Sequence, residues 1–230
     1  MRLYSVGPLL WLQARKWIFM FFCLVTAVTG HAAVNEDVPL TASNVFADAP
    51  LDVLDMLRPS TRLDMLDYYA QADSILPAVN ALGEVSRLEQ VTPDYLKVSV
   101  TPVSTLEIKI LDAGKRQIVM TLFTAGADGM AKDTEIRFFD SQLRPLDASK
   151  YIKTPRLGDF FNIKGSGISE AELIEKIPFA AVEYSIGPGE TPLTATLTTL
   201  EVISQEDRDL LTPLFDQPLT STWKGSFRFR

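Results

Sequence analysis

Leu96-Lys97-Val98-Ser99-Val100, Leu106-Glu107-Ile108-Lys109-Ile110 and Ile118-Val119-Met120-Thr121-Leu122 follow one another along the chain. In the first two, apolar and polar residues alternate strictly, and Ile118, Met120 and Leu122 keep the same spacing. A period of two is the mark of a strand with one face buried. Asp112-Ala113-Gly114-Lys115 supplies a hairpin turn between the second and third runs. Ile136 and Phe138 flank Arg137 in a further strand. Strands of this pattern joined by short turns predict an antiparallel sheet with one side against a core.

Upstream the period is helical. Leu51, Leu54 and Leu57 share a face of a short helix over residues 51–57, which Arg58-Pro59-Ser60 ends. Ser60 or Thr61 then caps a helix over residues 62–70, with Leu63, Leu66 and Ala70 on its apolar side. These two helices are the expected cover for the sheet. Residues 140–167 are rich in turn formers, among them Pro145, Pro155, Gly158, Gly165 and Gly167. Ser169-Glu170-Ala171-Glu172 is a capping box opening a helix to Ile177. Val182, Tyr184 and Ile186 alternate again, Gly187-Pro188-Gly189-Glu190 turns the chain, and Leu193, Ala195 and Leu197 follow. A helix from about Glu206 to Leu211 stops at Pro213. One long strand from Leu219 through Trp223 and Phe227 to Phe229 closes the chain. The fold class is therefore α+β, short helices packed on antiparallel sheet.

Residues 51–230 read as a single α+β domain behind a flexible lead-in at 33–50. Val98-Ser99-Val100-Thr101-Pro102 and Tyr184-Ser185-Ile186-Gly187-Pro188 look alike, and each half runs helix first, then strands. Two helix-then-sheet units, 51–141 and 166–230 joined by 142–165, therefore stay open as an alternative.

The N-terminus has a different character. Arg2, Arg15 and Lys16 precede an apolar run of 12 residues from Trp17 to Val28. A membrane-spanning helix needs about 20 apolar residues, whereas a signal-peptide core needs fewer. Gly30 and Ala32 give small residues at a cleavage site, so residues 1–32 read as a cleavable signal peptide. Cleavage would leave no integral membrane span. It would also move the net charge from −7 to −10, because three of the 22 basic residues and none of the 29 acidic ones lie there.

Cys23 and His31, the only cysteine and the only histidine, lie in the same segment. Residues 33–230 thus offer no imidazole base or thiolate, which excludes Ser-His-Asp and Cys-His catalysis and metal or haem sites built on those ligands. An acidic balance also argues against nucleic acid and against anionic membrane surfaces, since both demand a basic face.

The remaining candidates for chemistry are few. Asp52 with Asp55 and Asp64 with Asp67 are carboxylate pairs at helical spacing, suited to glycosidase acid–base work or a hard cation, but a solvated helix face explains them better. The loop from Gly126 to Glu135 gathers Asp128, Asp133 and Glu135, yet lacks calcium-loop spacing and contains Lys132. Ser221-Thr222-Trp223-Lys224 matches the serine–lysine signature, but in a strand its two key residues point to opposite faces. Trp223, Phe227 and Phe229 form either an aromatic ligand platform or, on the preferred reading, part of the core. No residue is assigned a catalytic, cofactor-binding or metal-binding role, and no cofactor is expected.

Three motifs carry a resemblance: Arg62-Leu63-Asp64-Met65-Leu66-Asp67, the run from Asp94 through Thr101-Pro102-Val103-Ser104-Thr105, and Asp133-Thr134-Glu135-Ile136-Arg137-Phe138. Through them the chain resembles a family of exported Bacteroidales proteins of unknown function, domain-of-unknown-function family 3256. The resemblance implies a Gram-negative envelope setting and brings no activity with it. Helix-then-sheet units are also similar to the fold of secreted β-lactamase-inhibitor-like proteins, a likeness that carries no function.

Together these observations lead to the expectation of an exported, non-catalytic binding or interaction module, periplasmic or at the cell surface. Its partner would be an envelope or extracellular one, with its oligomeric state open. The alternatives are a carboxylate-dependent hydrolase, acting for example on glycans, and a structural envelope component.

Overall fold

A computed structural model describes residues 40–71, 78–216 and 218–229. The signal-peptide reading, with Cys23 and His31, lies outside them. Helix α1 (Ala42–Asp48) comes first. Thr41 caps it by accepting the Asn44 N–H, and Ala42, Val45 and Phe46 are buried. The lead-in reading of residues 33–50 is thus corrected from residue 41 onward: this stretch is a capped, core-forming helix.

The expected helix over residues 51–57 is not one. Between Pro50 and Pro59 the chain runs as successive turns, with the Pro50 carbonyl accepting from both Val53 and Leu54. Val53, Leu54 and Leu57 are buried all the same, while Leu51 is exposed, so the spacing of Leu54 and Leu57 reports burial rather than helix. Helix α2 (Pro59–Ala70) starts earlier than expected, with Pro59 at its first position and Arg58 as cap residue. Proline suits that position because its missing N–H would be unpaired there anyway. Ser60 and Thr61 are therefore inside the helix. Its inward residues are Arg62 and Met65, while Leu63 is 52% exposed.

Seven antiparallel strands follow in chain order: β1 (Ala78–Val79), β2 (Val85–Val91), β3 (Tyr95–Thr101), β4 (Ser104–Asp112), β5 (Gln117–Ala125), β6 (Asp133–Phe139) and β7 (Pro145–Leu146). The predicted turn at Asp112–Lys115 is closed by Ala113 N–H to the Arg116 carbonyl, with Gly114 at φ +74°. After β8 (Ile152–Lys153) come α3 (Glu170–Lys176), β9 (Val182–Ser185), β10 (Leu193–Leu197), α4 (Gln205–Leu211), β11 (Leu219–Ser221) and β12 (Phe227–Arg228). Strands β9, β10 and β11 form a second antiparallel sheet, and β12 pairs in parallel with β8. The α+β class is as expected, and no helix among the described residues is long and apolar enough to cross a membrane. The single closing strand is not as expected. It breaks after Ser221 and turns at Gly225, φ +84°, a backbone conformation that glycine adopts without strain.

The one-sided sheet is also corrected. Cross-strand register places Leu106, Ile108 and Ile110 opposite Phe123, Thr121 and Val119, and places Glu107, Lys109 and Leu111 opposite Leu122, Met120 and Ile118. The apolar series of β4 and that of β5 therefore face opposite sides. The β4 side packs with α1, Leu54, Leu57 and Met65. The other side packs Ile118, Met120, Leu122 and Phe138 against Leu173, Tyr184, Leu193, Ala195 and Phe227 of the second layer. Each fully buried aliphatic or aromatic side chain contributes about 2 kcal/mol, and the sheet collects that gain on both faces.

Glu107 and Lys109 thereby lie inside the molecule, 5% and 3% exposed. Strand β9 pairs with β10 along one edge only. On its other side, Val182 N–H donates to Asp133 Oδ1 (3.1 Å), Tyr184 N–H to Thr134 Oγ1 (2.9 Å) and Ile186 N–H, just past the strand, to Glu107 Oε2 (3.2 Å). Thr134 is braced by Thr124 (2.8 Å) and Glu107 by the Tyr95 hydroxyl (3.1 Å). Next to this row, Lys109 Nζ donates to Asp94 Oδ2 (2.6 Å) and to the Gly187 (2.9 Å) and Gly189 (2.6 Å) carbonyls. An open strand edge that would otherwise leave N–H groups unpaired is closed by side chains.

On the first face, Arg62 is fully buried and ties α2 to α1. Its Nη1 donates to the Phe46 carbonyl (2.7 Å) and its Nη2 to the Ala49 carbonyl (2.6 Å), at the C-terminal end of α1 where carbonyls lack helical partners and a cation is favoured.

Four outcomes are expected. Arg62→Met should lower unfolding stability by about 2–4 kcal/mol in urea denaturation, since it strands two buried acceptors. Arg62→Lys should recover less than half of the loss, because an ammonium does not reproduce the fork. Lys109→Met should cost on the order of 2–3 kcal/mol, less than the loss of one partner of a fully buried pair, as Asp94 can rehydrate. Burial pushes the Glu107 carboxyl above its ordinary value near 4.5, against the lowering pull of its Ile186 and Tyr95 donors and of Lys97. The native state then holds this proton more tightly than the unfolded chain. The Glu107 contribution is greatest below pH 4.5 and is lost as pH rises through the native value. Stability measured against pH should fall in that window for the native sequence relative to Glu107→Gln. Parallel curves for the two proteins would contradict the assignment. Asp94 acts in the opposite sense in both proteins. Burial raises its pKa, but donors from Lys109, Thr92 and Gly189 outweigh that and hold it below its ordinary value.

Candidate functional site

The helices cover only part of the first sheet face, α1 lying over β3 and β4 and α2 over β1 and β2. Toward β5 and β6 the cover is the strap of turns at residues 51–57. Beneath it lies a cleft of about 210 Å³. Leu54 and Leu57 of the strap and Val100, Leu106 and Phe123 of the sheet form apolar walls, while Asp55, Glu135 and Arg137 also line it. Alternation on β6 places Glu135 and Arg137 on this face, opposite Phe123 and Thr121. The Arg137 guanidinium lies 4.9 Å above the Phe139 ring, and its Nη1 donates to the Asp52 carbonyl (3.3 Å). One arginine thus holds the strap to the sheet and forms part of the cleft wall. The strap is also tied to the β1–β2 hairpin through Ala81 N–H to the Met56 carbonyl (2.9 Å).

The candidates read from sequence are dispersed. Asp64 and Asp67 are exposed on α2. Asp52 and Asp55 lie in the strap rather than on a helix, so helical spacing does not pair them; Asp55 reaches the cleft while Asp52 contributes its backbone carbonyl. The Gly126–Glu135 loop holds no cluster. Asp128 pairs with Lys132 (2.9 Å), Asp133 accepts the Val182 N–H, and Glu135 belongs to the cleft. Gly126, φ +142°, is required there, because a Cβ would lie 2.7 Å from the Ala131 carbonyl oxygen. Ser221 is buried and accepts the Arg228 N–H (2.6 Å), whereas Lys224 is exposed in the turn beyond. Their separation comes from the break in the strand, not from opposite faces of a continuous one.

The aromatic residues belong to the core. Phe138, Tyr151, Trp223 and Phe227 contact in sequence at centroid distances of 5.3, 6.4 and 5.1 Å, and Phe229 meets Tyr184 at 5.9 Å. Among the described residues, no three His, Cys, Asp or Glu side chains gather as a metal ion would require.

Two features escaped the sequence reading. Glu107, the carboxylate that burial raises, has the environment of a general acid. It lies on the face opposite the cleft, however, and its Oε2 accepts from Tyr95 and Ile186. That geometry is a structural brace. The cleft itself combines strap, β3, β4, β5 and β6, and no local pattern announces it. Its only sequence signal is Glu135 and Arg137 occupying first-face positions where β4 carries Leu106 and Ile108.

No curated protein matches the chain. Among solved structures, a domain of an uncharacterized protein from Porphyromonas gingivalis W83 is similar, with a TM-score of 0.69 at 18% identity, covering 82% of this chain and 96% of that one. At that identity the likeness is one of fold alone. The family model described as "Protein of unknown function (DUF3256)" matches residues 38–229, and the chain belongs to that family.

Proposed function

We propose that the protein is an exported, non-catalytic binding module of the bacterial envelope, and that the cleft beneath the strap takes up an apolar group of its partner. Export is supported by the basic start, short apolar core and small-residue site of residues 1–32. A non-catalytic role is supported by the absence of histidine and cysteine from residues 33–230 and by the braced state of Glu107. The observation that carries the reading is the cleft, whose apolar walls stand beside Asp55, Glu135 and Arg137. An apolar concavity with a few polar groups is the usual form of a binding site. The partner is an envelope or extracellular one, and an apolar side chain or acyl end fits the cavity's size and lining.

A hydrolase reading rests on one observation, that Asp55 and Glu135 line the same cleft. Both readings are separated by one experiment. The native protein and Phe123→Glu, altered at a half-buried wall position, are incubated with native envelope extract, and the retained molecules are identified by mass spectrometry. A binding module should retain an apolar or acylated species unchanged, with retention reduced about tenfold or more in the variant, the effect of putting a charge against an apolar group. Equal retention by both proteins would overturn the cleft assignment. Release of cleaved glycan, lost in Asp55→Asn or Glu135→Gln, would overturn the non-catalytic reading.

A further inference from the structure

We propose a second site, independent of the cleft, at which the β8–β12 end of the molecule binds a phosphate group. The parallel pairing of β8 with β12 sets Ile152 beside Phe227 and Lys153 beside Arg228. Ile152 and Phe227 are buried, so Lys153 and Arg228 both face outward. Neighbouring strands lie about 4.8 Å apart, and the two cations therefore stand side by side. Like charges so placed repel one another.

Among the described residues, no ion pair offsets that repulsion. The ion pairs among the described residues use Lys97, Lys109, Lys132, Arg144, Arg156 and Lys176, and include neither Lys153 nor Arg228. The Arg228 guanidinium donates to the Phe227 carbonyl, at 3.1 Å. What sets Lys153 and Arg228 apart is their placement on paired strands, which holds two outward cations together.

Lys153 also lines a cavity of about 290 Å³, together with Thr154, Arg156, Asp159, Leu219 and Phe229. Arg156 adds a third cation. Asp159 is a weak competitor for it: one oxygen meets the Arg156 side chain at 3.5 Å, while the other accepts the Arg156 backbone N–H at 2.8 Å and closes the local turn. The Thr154 hydroxyl is a further donor, and Leu219 with Phe229 gives an apolar wall for a carbon skeleton. Several separate cations suit a phosphate monoester, which carries nearly two charges and three acceptor oxygens. A single carboxylate would be satisfied by one arginine fork. The same monoester chemistry is offered by a soluble phosphate ester and by the headgroup of phosphatidate.

The test uses the full chain and Lys153→Gln/Arg228→Gln, both altered positions being exposed. Thermal unfolding is followed in glycerol 3-phosphate and in sodium chloride at equal ionic strength, and vesicles with and without phosphatidate are floated with each protein. Phosphate should raise the native unfolding temperature beyond the chloride effect, or phosphatidate vesicles should carry the native protein upward. The double variant should weaken that binding about tenfold or more. Without phosphate at low ionic strength, the variant should be at least as stable as the native protein, because a repulsion has been removed. Binding in the soluble arm alone assigns a small phosphate ester, and binding in the vesicle arm alone assigns a headgroup. The proposal is overturned by no response beyond chloride in either arm, by equal responses of both proteins, or by a variant that is less stable without phosphate.

Discussion

Strand β9 has hydrogen-bonding groups on two edges and a strand partner on one. Everything in the second layer depends on how the other edge is closed. Val182, Tyr184 and Ile186 direct their N–H groups at Asp133, Thr134 and Glu107, side chains of the large sheet. An unpaired buried N–H costs about 1–3 kcal/mol, so three in a row would be enough to reject this docking. With an acceptor supplied for each of these alternate N–H groups, the same edge becomes a specific seam. Lys109 extends it to the carbonyls of Gly187 and Gly189. The apolar contacts on this face hold the layers together, and the polar row fixes where they meet.

This arrangement explains what was legible in the sequence and what was not. Strands β3 to β6 were visible because alternation is local. The burial of their polar faces was not, because Glu107 and Lys109 look the same in a sequence whether they meet water or a second layer. The clue was present in β5, where Val119 and Phe123 are apolar on one side and Met120 and Leu122 on the other. Residues 51–57 misled for the opposite reason: a strap with inward side chains at Leu54 and Leu57 repeats the spacing of a helix. The closing strand misled because alternation continues through Gly225 while the backbone reverses there. Arg62 could not have been recognised, since its acceptors are carbonyls of another helix and no side-chain pattern records them.

The cleft and the β8–β12 end share a physical origin. The cleft exists because two short helices cannot cover a seven-stranded face, and a strap without secondary structure spans the remainder. The β8–β12 pair exists because Gly225 returns the chain to the second layer, which leaves Lys153 and Arg228 adjacent on the outside. In both places the fold meets its own packing requirements and leaves a cavity lined by charged side chains. Glu107 shows the converse: a raised carboxylate that draws the eye as an acid is there to close a strand edge.

Native-state amide hydrogen exchange at Val182, Tyr184 and Ile186 tests the seam most directly. If these N–H groups are bonded to Asp133, Thr134 and Glu107 between two packed layers, they should open only with the sheet and exchange as slowly as central amides of β4 and β5. Exchange at the rate of a free, solvated strand edge would show that the second layer is not docked in this way.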